Sequence, residues 1–113
     1  MKPQRIVNED LLEAVRNLIC MACASTDPAG AREAMYENKV RSHPHHVISK
    51  GAGGHDVAEN VMPLCHAHHR EIHQIGEGRM GEKYKVVADW LEGARNSLLH
   101  QESLAREELL KHE

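Results

Sequence analysis

One stretch constrains this chain more than any other: His43 to His73, HPHHVISKGAGGHDVAENVMPLCHAHHREIH. It holds all but two of the ten histidines, one of the three cysteines, and a Gly-Gly pair between two short apolar runs. A buried neutral imidazole needs a partner for each ring nitrogen, so histidine at this density is poor packing material. Metal ligation is the economical explanation, because imidazole is the commonest metal ligand near neutral pH.

The remainder of the chain sets the scale on which such a site must work. With 113 residues, no Phe and a mean hydropathy of -0.57, one domain spanning residues 1–113 is expected, with a modest core that a metal would help to stabilise. No apolar run reaches the ~20 residues of a membrane span, and MKPQRIVNED lacks the apolar segment of a signal peptide, so a cytoplasmic protein is expected. In a reducing compartment, three cysteines with two placed as Cys20-x-x-Cys23 favour metal over disulfide. A net charge of -3 counts mildly against a nucleic-acid surface. Arg41, Lys50, Arg70 and Arg79 nevertheless lie in or near the His-rich segment, and a bound cation would add positive charge there.

Taken in order, Asn8 or Asp10 can cap a first helix with Leu11, Leu12, Val15, Leu18 and Ile19 along one face, running into Cys20-Met21-Ala22-Cys23. STDPAG, residues 25–30, is turn chemistry, and the segment 31–42 is ambiguous. A short strand is expected at His45–Ile48, a turn at Gly51–Gly54, and an extended piece at Asn60–Leu64 that Pro63 confines to an edge. A helix of about three turns should start at Cys65 or His66 and stop at Gly76, with Gly78 and Gly81 keeping the next link open. From Glu82 the pattern is helical to about residue 112. Val87, Trp90, Leu91, Ala94 and Leu98 share a stripe that Leu104, Leu109 and Leu110 extend, suited to packing or to a homodimer.

Spacing then divides the candidate ligands into two sets. Cys20-x2-Cys23 and Cys65-x2-His68 are two pairs with knuckle spacing, and together they complete the closed tetrahedral shell of a structural zinc. His66 competes with His68 for the fourth place. The second set is His45, His46, His69 and His73; His69 and His73 are one helical turn apart and able to share an ion, with His66 on nearly the same face.

The order CxxC, HH, GG, Asn, LCxxHHxxxH resembles the HNH (His-Asn-His) endonucleases, over about residues 20–76, in a style frequent among phage-encoded and mobile-element nucleases. The resemblance implies an α+β metal-bound domain with a ββα-metal core, flanked by the N-terminal helix and a long C-terminal helix. Residue by residue it implies a catalytic divalent ion on His45, His69 and His73, His46 as general base, Asn60 as the residue that orients that base, and a structural zinc on Cys20, Cys23, Cys65 and His68. His68 departs from the family, where Cys is more usual. DNA is the implied partner, and the bacterial host cytoplasm the implied setting if the protein is phage-encoded.

Those residue types suit phosphodiester hydrolysis. As an imidazole, His46 can deprotonate water, with Nδ1–H held by an Asn60 oxygen and Nε2 left as the base. Nitrogen ligands favour Mn²⁺, Co²⁺, Ni²⁺ or Zn²⁺ over Mg²⁺ in affinity, though abundant Mg²⁺ can support turnover. His43, His55, Lys50 and Arg70 are candidate phosphate contacts whose ordinary alternative is solvent, and His100 and His112 are expected at the surface. Two other functions compete. A non-catalytic zinc-binding module that docks nucleic acid or protein would have no use for His46 beside a liganded His45. A metal sensor or carrier would need neither Asn60 nor the Gly-Gly pair.

Overall fold

A computed structural model of the chain describes residues 5–96, an α+β arrangement of six helices around one two-stranded sheet among the described residues. Helix α1 (Glu9–Arg16) begins at Asn8, whose side chain accepts the Leu11 amide, and acidic Glu9 and Asp10 sit in its first turn where the helix dipole favours them. Its buried residues are Leu12 and Val15. The helix stops before Leu18, which is half exposed, so the expected continuous helix into the cysteines does not form. Cys20 instead caps a separate helix α2 (Met21–Thr26), its sulfur accepting the Cys23 amide.

The STDPAG segment is more helical than its composition predicts. Asp27 ends α2 and at once caps α3 (Pro28–Arg32), accepting the Gly30 amide, with Pro28 at the first helical position where its missing N–H costs nothing. A π-helical turn, Glu33–Glu37, carries the chain onward.

Strand β1 (His43–His46) starts two residues earlier than expected and contains Pro44. It pairs antiparallel with β2 (Val61–Leu64) in the register His43↔Leu64, Pro44↔Pro63, His45↔Met62 and His46↔Val61. The two prolines face each other on one rung; the Val47 amide donates to the Asn60 carbonyl, which makes the alternate 44/63 rung a non-hydrogen-bonded one where neither proline costs the ladder a donor. Strand alternation assigns His43, His45, Met62 and Leu64 to one face and His46 and Val61 to the other. The first face meets the main core of Met62, Leu64, Ile72, Met80, Val87 and Leu91; on the second, Val61 packs with Leu12 and Val15 of α1.

The loop between the strands does more than turn the chain. Asn60 is fully buried; its Oδ1 accepts the Ile48 amide at 2.8 Å, and its Nδ2 donates to the carbonyls of Ile48 and His55 at 3.0 Å each. Gly54 lies beneath this clamp, where a Cβ would stand 1.6 Å from the Ile48 carbonyl oxygen.

Helix α4 (His66–Ile75) matches its expected limits, and Gly76, at φ 87°, ends it. The open link expected next is instead helix α5 (Glu77–Lys83), with Gly81 packed against Ala88 of α6 (Lys85–Asn96). Tyr84, in an extended conformation, separates the two helices. Val87, Leu91 and Ala94 are buried in the chain's own core, so this part of the apolar stripe is used within one copy. Leu98, His100, Leu104, Leu109, Leu110 and His112 lie outside the described residues. Among the described residues no helix is long and apolar enough to cross a membrane.

Candidate metal centres

The two sequence pairs of the first ligand set meet where α2 and α4 begin. Cys20 and Cys23 come from the cap and first turn of α2, Cys65 from the cap of α4, and His68 from its first turn. His68 Nδ1 lies 3.4 Å from Cys20 Sγ, 3.3 Å from Cys23 Sγ and 3.2 Å from Cys65 Sγ, and the sulfurs of Cys23 and Cys65 are 3.8 Å apart. Tetrahedral zinc with bonds of ~2.3 Å to sulfur and ~2.0 Å to nitrogen spaces its ligands ~3.8 Å S to S and ~3.5 Å S to N. These separations agree to within a few tenths of an ångström, and the cluster can hold a metal ion such as zinc. The choice between His66 and His68 is resolved for His68; His66 is exposed, its ring 5.4 Å from that of His43.

The protonation chemistry points the same way. Burial, with the crowding sulfurs of Cys20 and Cys65, pushes the Cys23 thiol up to about 12, and burial also raises the Cys20 thiol. Burial lowers the His68 imidazole, keeping it neutral with a lone pair to give. Such a pocket is uncomfortable for thiolates alone and is relieved by a cation.

The second set divides. His45, on the inward face of β1, converges with His69 and His73 of α4, and their ligating nitrogens lie within 4.8 Å of one another. The Nε2 atoms of His69 and His73 are 3.1 Å apart, between the ~3.0 Å of adjacent octahedral ligands and the ~3.4 Å of tetrahedral ones on an ion with ~2.1 Å bonds. Burial and the four surrounding imidazoles of His45, His73, His43 and His66 lower His69 to about 4, so its lone pair is available at neutral pH. His45 Nε2 is buried without a hydrogen bond, a costly state that an ion would relieve. The donor set fits a divalent ion, and the exposure of His73 leaves it reachable from solvent.

His46 does not join this cluster. Its Nε2 lies 2.7 Å from Asp56 Oδ1, and because an ionised carboxylate can only accept, Nε2 carries the proton. The expected arrangement, with Asn60 on Nδ1 and Nε2 free, is thereby corrected: the Asn60 side chain is spent on Ile48 and His55, and Asp56 holds Nε2. Asp56 also accepts from Arg5 Nη1 and the Asn8 amide at 2.8 Å each. Burial works against its charge, but the bonds from Asn8, His46 and Arg5 prevail and hold its carboxyl below the ordinary value.

His55 is buried rather than solvent-facing, its Nδ1 accepting the Ile6 amide at 3.0 Å. His43 is half-buried, its Nδ1 3.1 Å from that of His69, while Lys50 and Arg70 are exposed. Sequence reasoning missed Asp56 and Arg5. The available signal was Asp56 itself, an acid directly after His55 in the glycine-rich loop between the strands. Compared with known proteins, no family model, no curated protein and no solved structure matches this chain.

Proposed function

We propose that this protein is a metal-dependent endonuclease of the HNH kind that hydrolyses phosphodiester bonds in DNA. The observation that carries this reading is the contrast between two clusters a few residues apart. Cys20, Cys23, Cys65 and His68 form a closed four-donor set, suited to a structural zinc, whereas His45, His69 and His73 supply only three donors beside solvent. Fewer donors and an accessible position are what a catalytic ion needs.

Held by those three imidazoles, a divalent ion such as Mn²⁺, Co²⁺, Ni²⁺, Zn²⁺ or Mg²⁺ would supply Lewis-acid polarisation of a phosphoryl oxygen. The chain's own residues do the rest. His43 steadies the His69 ring through the 3.1 Å Nδ1–Nδ1 contact. Asp56 fixes the tautomer of His46, so Nδ1 is the nitrogen able to take a proton from an attacking water.

A second reading, a non-catalytic zinc-binding module for docking nucleic acid or protein, is favoured by one specific observation. His46 stands on the strand face opposite His45 and is already bound to Asp56. Nicking of supercoiled plasmid by the wild type, His46→Ala and His69→Ala, each zinc-loaded and given Mn²⁺ or Mg²⁺, separates the two readings. Nicking by the wild type that is lost in His69→Ala supports the nuclease, and loss in His46→Ala adds the base. Binding of DNA without cleavage in any metal supports the module.

A further inference from the structure

We propose that Glu77 is a fourth protein donor to the ion at His45, His69 and His73, making this a three-histidine, one-carboxylate centre for a divalent cation. The inference rests on the three-histidine site of the proposed function and gives it an acidic member; on a six-coordinate ion four protein donors still leave two positions open, unlike the closed tetrahedral cysteine cluster.

The placement follows from the chain. α4 ends at Gly76, whose positive φ of 87° turns the backbone so that α5 begins at once with Glu77, four residues beyond His73. Glu77 Oε1 consequently stands 3.9 Å from His45 Nε2. That is too long for a hydrogen bond. It lies between the ~3.0 Å and ~4.2 Å that separate adjacent and opposite ligands on an octahedral ion with ~2.1 Å bonds. The His45 side chain is 7% exposed, and its Nε2 is buried without a hydrogen-bond partner. The buried, unbonded His45 nitrogen thus stands close to a carboxylate that lies outside the set of donors already within 4.8 Å of one another, so Glu77 would reach the ion by a turn of its side chain.

The other carboxylate oxygen faces Arg95, with Oε2 3.9 Å from Nη2. One oxygen thus lies nearest a guanidinium while its twin lies nearest His45, an arrangement suited to single-oxygen ligation supported from behind. The chemistry is also consistent. Three neutral imidazoles leave a divalent charge wholly uncompensated, whereas a carboxylate offsets half of it and adds a hard oxygen donor.

The test is calorimetric titration of the full chain, its cysteine cluster loaded with Zn²⁺, with Co²⁺ alone, together with the visible Co²⁺ spectrum. The wild type should take up one further ion. Glu77→Gln, close to isosteric, should bind it about tenfold or more weakly with a shifted spectrum, and His69→Ala should not bind it. A circular-dichroism melt of each zinc-loaded variant confirms folding, and Glu77→Asp, which keeps the charge, should recover part of the affinity. Equal affinity and an identical spectrum in Glu77→Gln would overturn the role of Glu77 and leave the three-histidine site standing. No further ion on the wild type would overturn both. A second ion held through Glu77 in a protein that never nicks DNA would support the inference while the nuclease reading fails.

Discussion

The imidazole of His46 and the carboxylate of Asp56 form a buried pair, Nε2 to Oδ1 at 2.7 Å, on the face of β1 opposite His45. Because Asp56 also takes the Arg5 guanidinium and the Asn8 amide, it joins the N-terminal segment to the first strand. Asp56→Ala removes the acceptor of the Asn8 amide and of His46 Nε2 and the carboxylate partner of Arg5, and should cost ~3 kcal/mol in urea unfolding of the zinc-loaded protein. A loss below ~0.5 kcal/mol would contradict this role.

The same residue gives an acid limb. Its folded carboxyl lies below the ordinary value of 3.8, so its contribution is present above that pH and disappears as pH falls toward the lower folded value. Stability measured from pH 6 to 2 should fall more steeply in the wild type than in Asp56→Ala across that window.

The cysteine cluster predicts proton-linked zinc. Thiols raised by burial, Cys23 to about 12, must lose their protons to bind metal, so zinc affinity should rise with pH between 6 and 9 and proton release should be measurable. Calorimetry in two buffers of different ionisation enthalpy reads the released protons directly. Identical heats in both would contradict thiolate ligation. Cys65→Ser should lower zinc affinity sharply, whereas His66→Ala should leave it unchanged.

Glycine substitutions in the 48–60 loop test the Asn60 clamp. Gly54→Ala would drive a methyl into the Ile48 carbonyl, and ~3 kcal/mol or more of destabilisation is expected; Gly51→Ala meets open space and should be close to neutral. Equal melting temperatures for the two variants would show that the loop packs otherwise.

Leu91 of α6 is 3% exposed within the main core. Leu91→Ala should cost ~2–5 kcal/mol by the usual cost of emptying such a site. If chemical denaturation finds less than ~1 kcal/mol, α6 is not a structural part of this fold.

What could be read from the sequence, and what could not, divides along physical lines. Ligand spacing is local: Cys20-x2-Cys23, Cys65-x2-His68 and His69-x3-His73 each span about one helical turn, so each pair was readable, and the need for four donors matched the first two pairs to each other. The limits of α4 were readable for the same reason, since Gly76 ends it. The helices around Asp27 and Gly78 were missed because a cap and a turn use the same residues, and tertiary packing chose between them. The partner of His46 was missed because Asp56 reaches it through the fold of the loop, and no periodicity encodes that. Asn60, an expected catalytic helper, shows the same limit: its buried amide closes the backbone of its own loop.

Cys20 is both the cap of α2 and a donor in the four-atom cluster. As a covalent connection through metal, Cys20 to His68 would close a ring across 48 positions of sequence. A permanent cross-link of that span would remove ~4 kcal/mol of chain entropy from the unfolded state by the loop-closure estimate. A metal fastening, unlike a disulfide, would be reversible, and its closing sulfur also starts a helix. Zinc that binds the folded form alone would then make the folding equilibrium, and with it the melting temperature, a function of zinc concentration.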